Sequence, residues 1–320
     1  MTRPPADRPA IVVAGPTASG KSLLAADIAE HFSGVVINAD SMQVYRGLEV
    51  LSASPDAAMQ ARVPHRLYGV LDPAEICSAG RWREMALSEL ADARAAGRLP
   101  VVVGGTGLYL RSLMAGIARM PPIPREVRER VRDRMAERGS RALYEELRGR
   151  DPDSAARLEP GDRQRIARAI EVLEATGKSL TAWQRGGPAD GGPAGFRFFV
   201  ILLAPPRDGV YADCDRRFAE MLQGGALDEV RRLVARRLDS ELPAMKALGI
   251  PDLRRHLAGE ITIEEALRQG QQATRRYVKR QMTWFRHQIV ADYVLETKYK
   301  EKLWDKIFSE ISIFLLTCPE

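Results

Sequence analysis

Short apolar segments alternate with longer amphipathic segments over the first hundred residues. Residues 10–14 (AIVVA), 35–39 (VVINA) and 100–105 (PVVVGG) are rich in β-branched residues, which predicts buried strands. Helices are predicted between them, over 22–31 and over 79–96. Apolar strands that alternate with helices predict a parallel sheet that is covered by helices on both faces.

The pattern changes after a proline-rich segment at 120–124 (MPPIP), where an arginine-rich helical stretch begins. A Gly/Pro-rich segment then leads into 196–204 (FRFFVILLA), which predicts a further strand of the same sheet. We therefore interpret 118–194 as a helical insertion into one α/β core, which is formed by 8–117 and 195–297.

The remainder of the chain is helical from 208 to 288, with breaks expected near Pro243 and Pro251. The final segment, 298–320, is rich in Lys, Ile and Phe, whereas the rest of the chain prefers Arg, Ala and Leu. Nothing in this segment indicates chemistry, and the sequence assigns it no function.

Composition narrows the class of protein. With 45% hydrophobic and 28% charged residues in 320, the chain is long and apolar enough for a folded core. It has no apolar run near the roughly 18 residues that a membrane span needs, and its first ten residues lack a signal-peptide core. We therefore expect a cytoplasmic protein. A monomer is a separate expectation, which these observations do not address. Three cysteines and four histidines are too scattered to predict a disulfide framework or a zinc site.

A glycine-rich loop follows the first predicted strand. It fits G-x-x-x-x-G-K-[ST], with the strand before it and the helix after it that a phosphate-binding P-loop requires. Backbone N–H groups of such a loop surround phosphate oxygens, its lysine neutralises charge, and its hydroxyl reaches a magnesium ion. We therefore predict a P-loop parallel sheet flanked by helices with an inserted all-helical domain, in preference to a chance match in a turn. The phosphate-binding residues are Gly15, Pro16, Thr17, Ala18, Ser19, Gly20, Lys21 and Ser22.

Polar residues also follow the next two strands, at the same edge of the sheet as the P-loop. Asp40 is a candidate general base, although an Asp before a Ser at a strand end is more often a turn or helix-cap residue. Gly104 and Gly105 by themselves indicate a tight turn before Thr106. No predicted strand ends in the metal-ordering acid of a Walker B motif, which disfavours ATPase chemistry.

The order and spacing of eight segments resemble one family, the tRNA dimethylallyltransferases of the bacterial type. The resemblance covers nearly all of residues 10–290. One departure is Ile250-Pro251, where an aromatic residue is common in the family. The segments are GPTASGKS (15–22), DSMQVYRG (40–47), PHRLYGVLDP (64–73), VGGTGLYL (103–110), DRQRIARAIEVLEATGKSLT (162–181), DRRFAEML (215–222), KALG (246–249) and KRQMTWFR (279–286).

The resemblance implies the chemistry. A dimethylallyl group would pass from dimethylallyl diphosphate to the exocyclic amine of the adenosine 3′ to the anticodon of a tRNA. Lys21, Ser22 and Arg217 would bind the diphosphate and its Mg²⁺, with Ser22 as the metal ligand. Thr106 would contact the oxygen that leaves with the diphosphate, and Asp40 would be the base.

The resemblance also implies an RNA-binding surface, because an adenine stacked in the anticodon loop must flip out to reach the donor. The residues themselves offer one: 268–287 contains six Arg or Lys and no acid. On a helix one face is shared by Arg276, Lys279, Arg280, Thr283 and His287. We assign to the core Met282, Trp284, Phe285 and Ile289. The implied tRNA-binding residues are Asp40, Ser41, Met42, Gln43, Thr106, Arg128, Gln164, Arg165, Ile166, Ala167, Arg168, Lys246, Lys279 and Arg280.

Two other classes of protein remain open from the residues alone. A P-loop kinase of a small metabolite or nucleotide also has a strand-loop-helix phosphate site, and it would use ATP as donor. A non-catalytic RNA-binding protein with a vestigial P-loop would bind tRNA without product. For the arginines of the insertion, a solvated helix face is the default interpretation.

Overall fold

The computed structural model describes residues 8–118, 120–187, 191–193 and 195–318. The chain divides into two compact units, one formed by residues 1–114 and 192–320 and the other by 115–191. Residue 194, where the sequence placed the end of the insertion, lies outside the described residues. The two units are described separately below.

The larger unit is built on one parallel sheet. Its strands are β1 Arg8–Ala14, β2 Gly34–Asn38, β3 His65–Arg66, β4 Leu99–Gly104, β5 Phe196–Leu203 and β6 Tyr293–Leu295. They lie in the order β3-β2-β4-β1-β5-β6, and every pairing is parallel. The predicted fold class is confirmed. The two edge strands, β3 and β6, were missed, because two or three residues show no periodicity that a sequence pattern can detect.

The helices cover both faces of this sheet. Those of the larger unit are α1 Lys21–His31, α2 Ala57–Arg62, α3 Ala79–Ala95, α4 Gly107–Ala115, α9 Arg207–Gln223, α10 Ala226–Ala235, α11 Ile250–Leu257, α12 Ile263–Gln288 and α13 Trp304–Leu316, with 3₁₀ turns at Pro243–Lys246 and Glu301–Leu303. Pro251 was expected to break a helix but lies in the first turn of α11. A proline is tolerated there because its missing N–H would have no partner in the helix.

Alternate strand residues divide the core between the two faces. Val12 and Val102 join the cluster that α3, α4 and α9 to α12 cover, whereas Ile11 and Val101 point to the opposite face. That second face is covered by α1 and α13. No helix of the described residues is long and apolar enough to cross a membrane.

The C-terminal segment, to which the sequence assigned no function, is part of this second face. The apolar side of α13 buries Ile307, Phe308, Ile311 and Phe314 in the same cluster as Leu24 of α1. Fully burying an aliphatic side chain stabilises a fold by about 1.5–3 kcal/mol relative to exposure. The segment therefore contributes to the stability of the core.

The smaller unit is helical and has its own core. Its helices are α5 Arg125–Arg150, α6 Pro152–Ala155, α7 Arg163–Thr176 and α8 Leu180–Arg185, and α5 is interrupted at Gly139, whose φ is 75°. A network of ion pairs joins α5 to α7: Arg134 and Arg150 each contact both Glu146 and Glu174, at 2.5–3.1 Å. Several arginines of this unit are therefore structural ion-pair partners.

Candidate active site

The P-loop connects β1 to α1 and has the backbone shape of an anion-binding loop. Ala18 and Gly20 adopt left-handed conformations, with φ of 60° and 90°. Left-handed residues within a turn point successive N–H groups into one concave surface, and the N-terminus of α1 adds its partial positive charge. Ala18 is strained in this conformation, as residues at functional loops often are.

Two cations lie beside this loop without a carboxylate partner. Among the described residues, Lys21 donates only to the carbonyl oxygen of Pro16, at 3.3 Å, and Arg217 of α9 forms no ion pair. Burial lowers the pKa of Lys21 to about 8, and the negative charge of Asp40 opposes this shift. Burial also lowers the pKa of Arg217, again against Asp40. Two partly desolvated cations without a counter-ion indicate a site for an anion.

Asp40 follows β2 at the carboxyl edge of the parallel sheet, the same edge at which the P-loop follows β1. Its charge opposes the burial effect on both cations. Its Oδ1 accepts a hydrogen bond from the N–H of Met42 at 2.9 Å, so one oxygen has the turn-forming role that the sequence made the default. Among the described residues, Oδ2 accepts no hydrogen bond. One carboxylate can therefore hold the turn and still accept a proton.

Asn38, which the sequence analysis did not select, fixes the backbone around Asp40. Its Oδ1 accepts from the N–H of Asp40 at 2.8 Å, and its Nδ2 donates to the carbonyl oxygens of Asp40 and Leu67 at 3.1 and 3.0 Å. It is fully buried. The sequence did carry a signal for Asn38, since it is a polar residue at the end of a buried strand, two positions before a candidate base.

Thr106 joins the loop after β4 to the loop after β2. Its Oγ1 accepts from the N–H of Ser41 at 2.9 Å and donates to Ser41 Oγ at 3.2 Å. The last residue of β4, Gly104, is also required for close packing, because a Cβ there would lie 2.1 Å from the carbonyl oxygen of Ala39. The chain bends at Gly105, so the tight turn and the close approach coexist.

Helix α12 closes the site from the other side through Gln281, which the sequence analysis also missed. Its Oε1 accepts from the N–H of Thr17 at 3.0 Å, and its Nε2 donates to the carbonyl oxygen of Gly105 at 2.9 Å. The P-loop and the loop after β4 are thus held by one buried side chain. The signal was a glutamine spaced between Val278 and Phe285 on the buried face of α12.

Two tyrosines border Asp40. Burial raises the pKa of Tyr68 and of Tyr277, and the charge of Asp40 raises both further. Both hydroxyls therefore stay protonated near neutral pH and can donate hydrogen bonds. Tyr277 was noted in the sequence only as one aromatic residue among the basic ones of α12.

Comparison with known proteins decides the family. The family model described as IPP transferase matches residues 43–288. A tRNA dimethylallyltransferase of Rhodospirillum centenum is 57% identical over 287 residues, which cover 90% of this chain and 91% of that protein. One of Paramagnetospirillum magneticum is 50% identical over 311 residues, 97% and 98% of the two chains.

The chain belongs to the tRNA dimethylallyltransferase family.

Solved structures agree with this membership. The full-length tRNA isopentenylpyrophosphate transferase of Bacillus halodurans is 30% identical with a TM-score of 0.67, and the alignment covers 97% of this chain and 96% of that one. A eukaryotic dimethylallyltransferase acting on tRNA is 25% identical with a TM-score of 0.80 over 98% and 80% of the chains. The small-molecule kinase alternative is not favoured.

In a tRNA dimethylallyltransferase, the exposed cations of α12 are the residues of interest for RNA. Three cations of this face are exposed and form no ion pair among the described residues: Arg276, Lys279 and Arg280. The other two residues of the face, Thr283 and His287, are also exposed. Two other basic residues of 268–287 have acidic partners outside that segment: Arg268 pairs with Glu265, and Arg275 contacts Asp215 at 2.5 Å. Of the aromatic and apolar residues assigned to the core, Phe285 is buried, while Met282 and Trp284 are half-buried.

The other expected tRNA contacts of the larger unit have partners within the chain. Gln43 donates through Nε2 to the carbonyl oxygens of Ser52 and Ala53, both at 3.0 Å. Lys246 is exposed and pairs with Glu241 at 2.8 Å. Ser41 and Met42 are half-buried at the turn of Asp40.

Within the insertion, one expected tRNA contact is corrected. The side chain of Ile166 is buried in the core of this unit and cannot face RNA. Ala167 is half-buried, and Gln164 and Arg128 are exposed. Arg165 and Arg168 pair with Asp162 and Glu171, each at 3.4 Å, whereas Arg128 has no ion pair among the described residues.

The tRNA dimethylallyltransferase fold here offers few protein ligands for a metal. No group of three or more His, Cys, Asp or Glu side chains in the described residues could hold an ion. The Ser22 hydroxyl, in the first turn of α1, forms no hydrogen bond among the described residues. One hydroxyl beside a phosphate site fits Mg²⁺, which usually keeps several waters and takes its other ligands from substrate phosphates.

Proposed function

We propose that this protein transfers a dimethylallyl group from dimethylallyl diphosphate to the exocyclic amine of the adenosine 3′ to the anticodon of tRNA, in a Mg²⁺-dependent reaction, and that it acts as a monomer. One observation carries the proposal. Asp40, whose Oδ2 accepts no hydrogen bond among the described residues, follows β2 at the same edge of the parallel sheet at which the P-loop with Lys21 follows β1. Lys21 and Arg217 form no ion pair in the part of the chain that the structure describes.

The P-loop end of the site suits a leaving diphosphate. Breaking the carbon–oxygen bond places negative charge on the diphosphate, so fixed cations and N–H donors stabilise the transition state more than the ground state. Lys21 and Arg217 supply the cations. Thr106 Oγ1 can donate to the oxygen that leaves, because its present acceptor, Ser41 Oγ, lies at a long 3.2 Å.

The Ser22 hydroxyl would hold Mg²⁺ together with oxygens of the diphosphate. When bound, the ion supplies further neutralisation of the leaving group. Lys21 and Arg217 share that task from the protein side.

Asp40 acts on the other substrate. The amine lone pair of adenine is delocalised into the ring, so the amine must lose a proton as the carbon–nitrogen bond forms. Asp40 Oδ2 is the free acceptor, and a positioned base contributes about 10²–10⁴-fold. Tyr277 and Tyr68, which remain protonated beside Asp40, can donate to ring nitrogens or to the carboxylate.

The RNA would be held by separate surfaces. Lys279 and Arg280 of α12, which form no ion pair among the described residues, would offer their charges to the phosphates of the anticodon loop. Arg128 of the insertion would offer another. These contacts position the loop so that the target adenosine, once flipped out, reaches the end of the sheet where Asp40 lies.

The test is to incubate the protein with Mg²⁺, radiolabelled dimethylallyl diphosphate and unmodified tRNA, and to measure the label in RNA. We expect label that requires Mg²⁺ and that disappears with Asp40→Ala. A tRNA with guanosine in place of the target adenosine is the matched substrate control and should stay unlabelled. No label in any tRNA, together with ATP turnover on a metabolite, would establish the kinase instead. Tight tRNA binding without product would indicate a non-catalytic RNA-binding protein.

A further inference from the structure

The segment that follows β6 contacts the P-loop directly. The N–H of Tyr299 donates to the carbonyl oxygen of Ser19 at 3.2 Å. A Cβ added to Gly20 would lie only 3.2–3.3 Å from atoms of Tyr299, so the two backbones are in close contact. The P-loop is thus in direct contact with Tyr299, in a part of the chain that the sequence left without a role.

Tyr299 is also anchored from its other end. Its hydroxyl donates to Asp27 Oδ2 of α1 at 2.8 Å, and both side chains are at most 3% exposed. Asp27 Oδ1 accepts from Arg62 at 2.7 Å, so both carboxylate oxygens are satisfied. Tyr299 therefore links the loop residue before Gly20 to the helix that begins at Lys21.

The neighbouring residue links the same segment to the second cation of the site. Lys298 Nζ contacts Asp213 Oδ2 at 2.7 Å. Asp213 lies four residues before Arg217, on the same side of α9. Residues 298 and 299 thus connect the helix that carries Lys21 with the helix that carries Arg217.

We propose that Tyr299 and Lys298 are positioning residues for the diphosphate site, which hold the P-loop and α9 at the separation that the donor requires. The inference rests on the proposed function in that the diphosphate is the ligand, but it concerns residues outside the P-loop motif. Helix α13 supports the segment by burying its apolar face against α1. Positioning of this kind alters the affinity for the donor without altering the contacts to RNA.

The test is calorimetric titration of the full-length protein with pyrophosphate and Mg²⁺, alongside steady-state kinetics. Tyr299→Phe removes one hydrogen bond to a charged group, and we expect the Kd for pyrophosphate and the KM for the donor to rise roughly tenfold. Tyr293→Phe is its control, since the Tyr293 hydroxyl forms no hydrogen bond among the described residues. The KM for tRNA should not change, whereas a general loss of folded protein would lower kcat and leave the donor KM unchanged.

Lys298→Met is a second variant, which leaves the hydrogen bond between Tyr299 and Asp27 intact. Because it removes only the half-exposed ion pair with Asp213, we expect the Kd for pyrophosphate to rise roughly twofold to fivefold. Its control is Lys300→Met, because Lys300 is exposed and unpaired among the described residues. Unchanged pyrophosphate affinity in both Tyr299→Phe and Lys298→Met would overturn the inference. A wild-type protein that binds pyrophosphate but transfers no allyl group would instead contradict the proposed function, with this inference intact.

Discussion

At the scale of single residues, the site depends on side chains that serve structure and chemistry together. Asp40 closes its own turn with one oxygen and leaves the other free. The sequence treated these as competing interpretations, because a motif does not tell how the two oxygens of one carboxylate are used. Asn38 and Gln281 could not be assigned at all, since their roles arise from contacts between segments distant in the chain.

Replacing Asp40 with Asn tests the base. Asn keeps an oxygen for the N–H of Met42, so the turn should persist while the proton acceptor is lost. We expect the single-turnover rate of transfer to fall about 10²–10⁴-fold, with tRNA affinity nearly unchanged. A single-turnover rate equal to that of the wild type would remove Asp40 from this role.

The depressed pKa of Lys21 predicts a pH dependence. Its ammonium is charged below about pH 8 and becomes neutral above it, so the affinity for pyrophosphate should weaken as pH rises from 7 to 9. Lys21→Arg stays charged over this range and corrects for the titration of pyrophosphate itself. Calorimetric Kd values should therefore rise more steeply with pH in the wild type than in Lys21→Arg; parallel curves would contradict the prediction.

At the scale of elements, α12 has two different sides. Its buried side inserts Gln281 between the P-loop and the loop after β4, and its exposed side presents Lys279 and Arg280. The helix and its basic face followed from the sequence because charge and periodicity are local. The pairing of Arg275 with Asp215 did not, because the acid lies on α9.

Removing charge from this exposed side should change the salt dependence of tRNA binding. For Lys279→Ala or Arg280→Ala, the slope of log affinity against log salt should become shallower by roughly 0.7–0.9 per lost phosphate contact. Arg268→Ala is the matched control on the same helix, because Arg268 already pairs with Glu265. Filter-binding titrations over several salt concentrations measure the slopes, and identical slopes would show that these residues do not contact phosphate.

At the scale of the whole molecule, the fold class could be predicted because short apolar strands alternate with helices along most of the larger unit. The sheet order could not, since strand neighbours are set by long-range packing. The last strand and α13 were also missed, as their composition matched no pattern used for the rest of the chain. They nevertheless complete one face of the core.

The importance of this last helix can be measured by comparing two isoleucines of α13. Ile311 is fully buried, and Ile311→Ala should lower the free energy of unfolding by about 2–5 kcal/mol. Ile313 is 59% exposed, and Ile313→Ala should change it by at most about 0.5 kcal/mol. Urea denaturation gives both values; equal small losses would mean that α13 is not part of the cooperative core.

The two sides of α12 have a consequence for how the substrates influence each other. If tRNA binds the exposed side of α12, a displacement of this helix would be transmitted through Gln281 to the P-loop and to the loop after β4. If bound tRNA raises the affinity of the protein for the donor, the bound donor must raise the affinity for tRNA by the same factor, because the binding free energies form a closed cycle. The coupling free energy can be measured as the change in the Kd for tRNA between zero and saturating pyrophosphate.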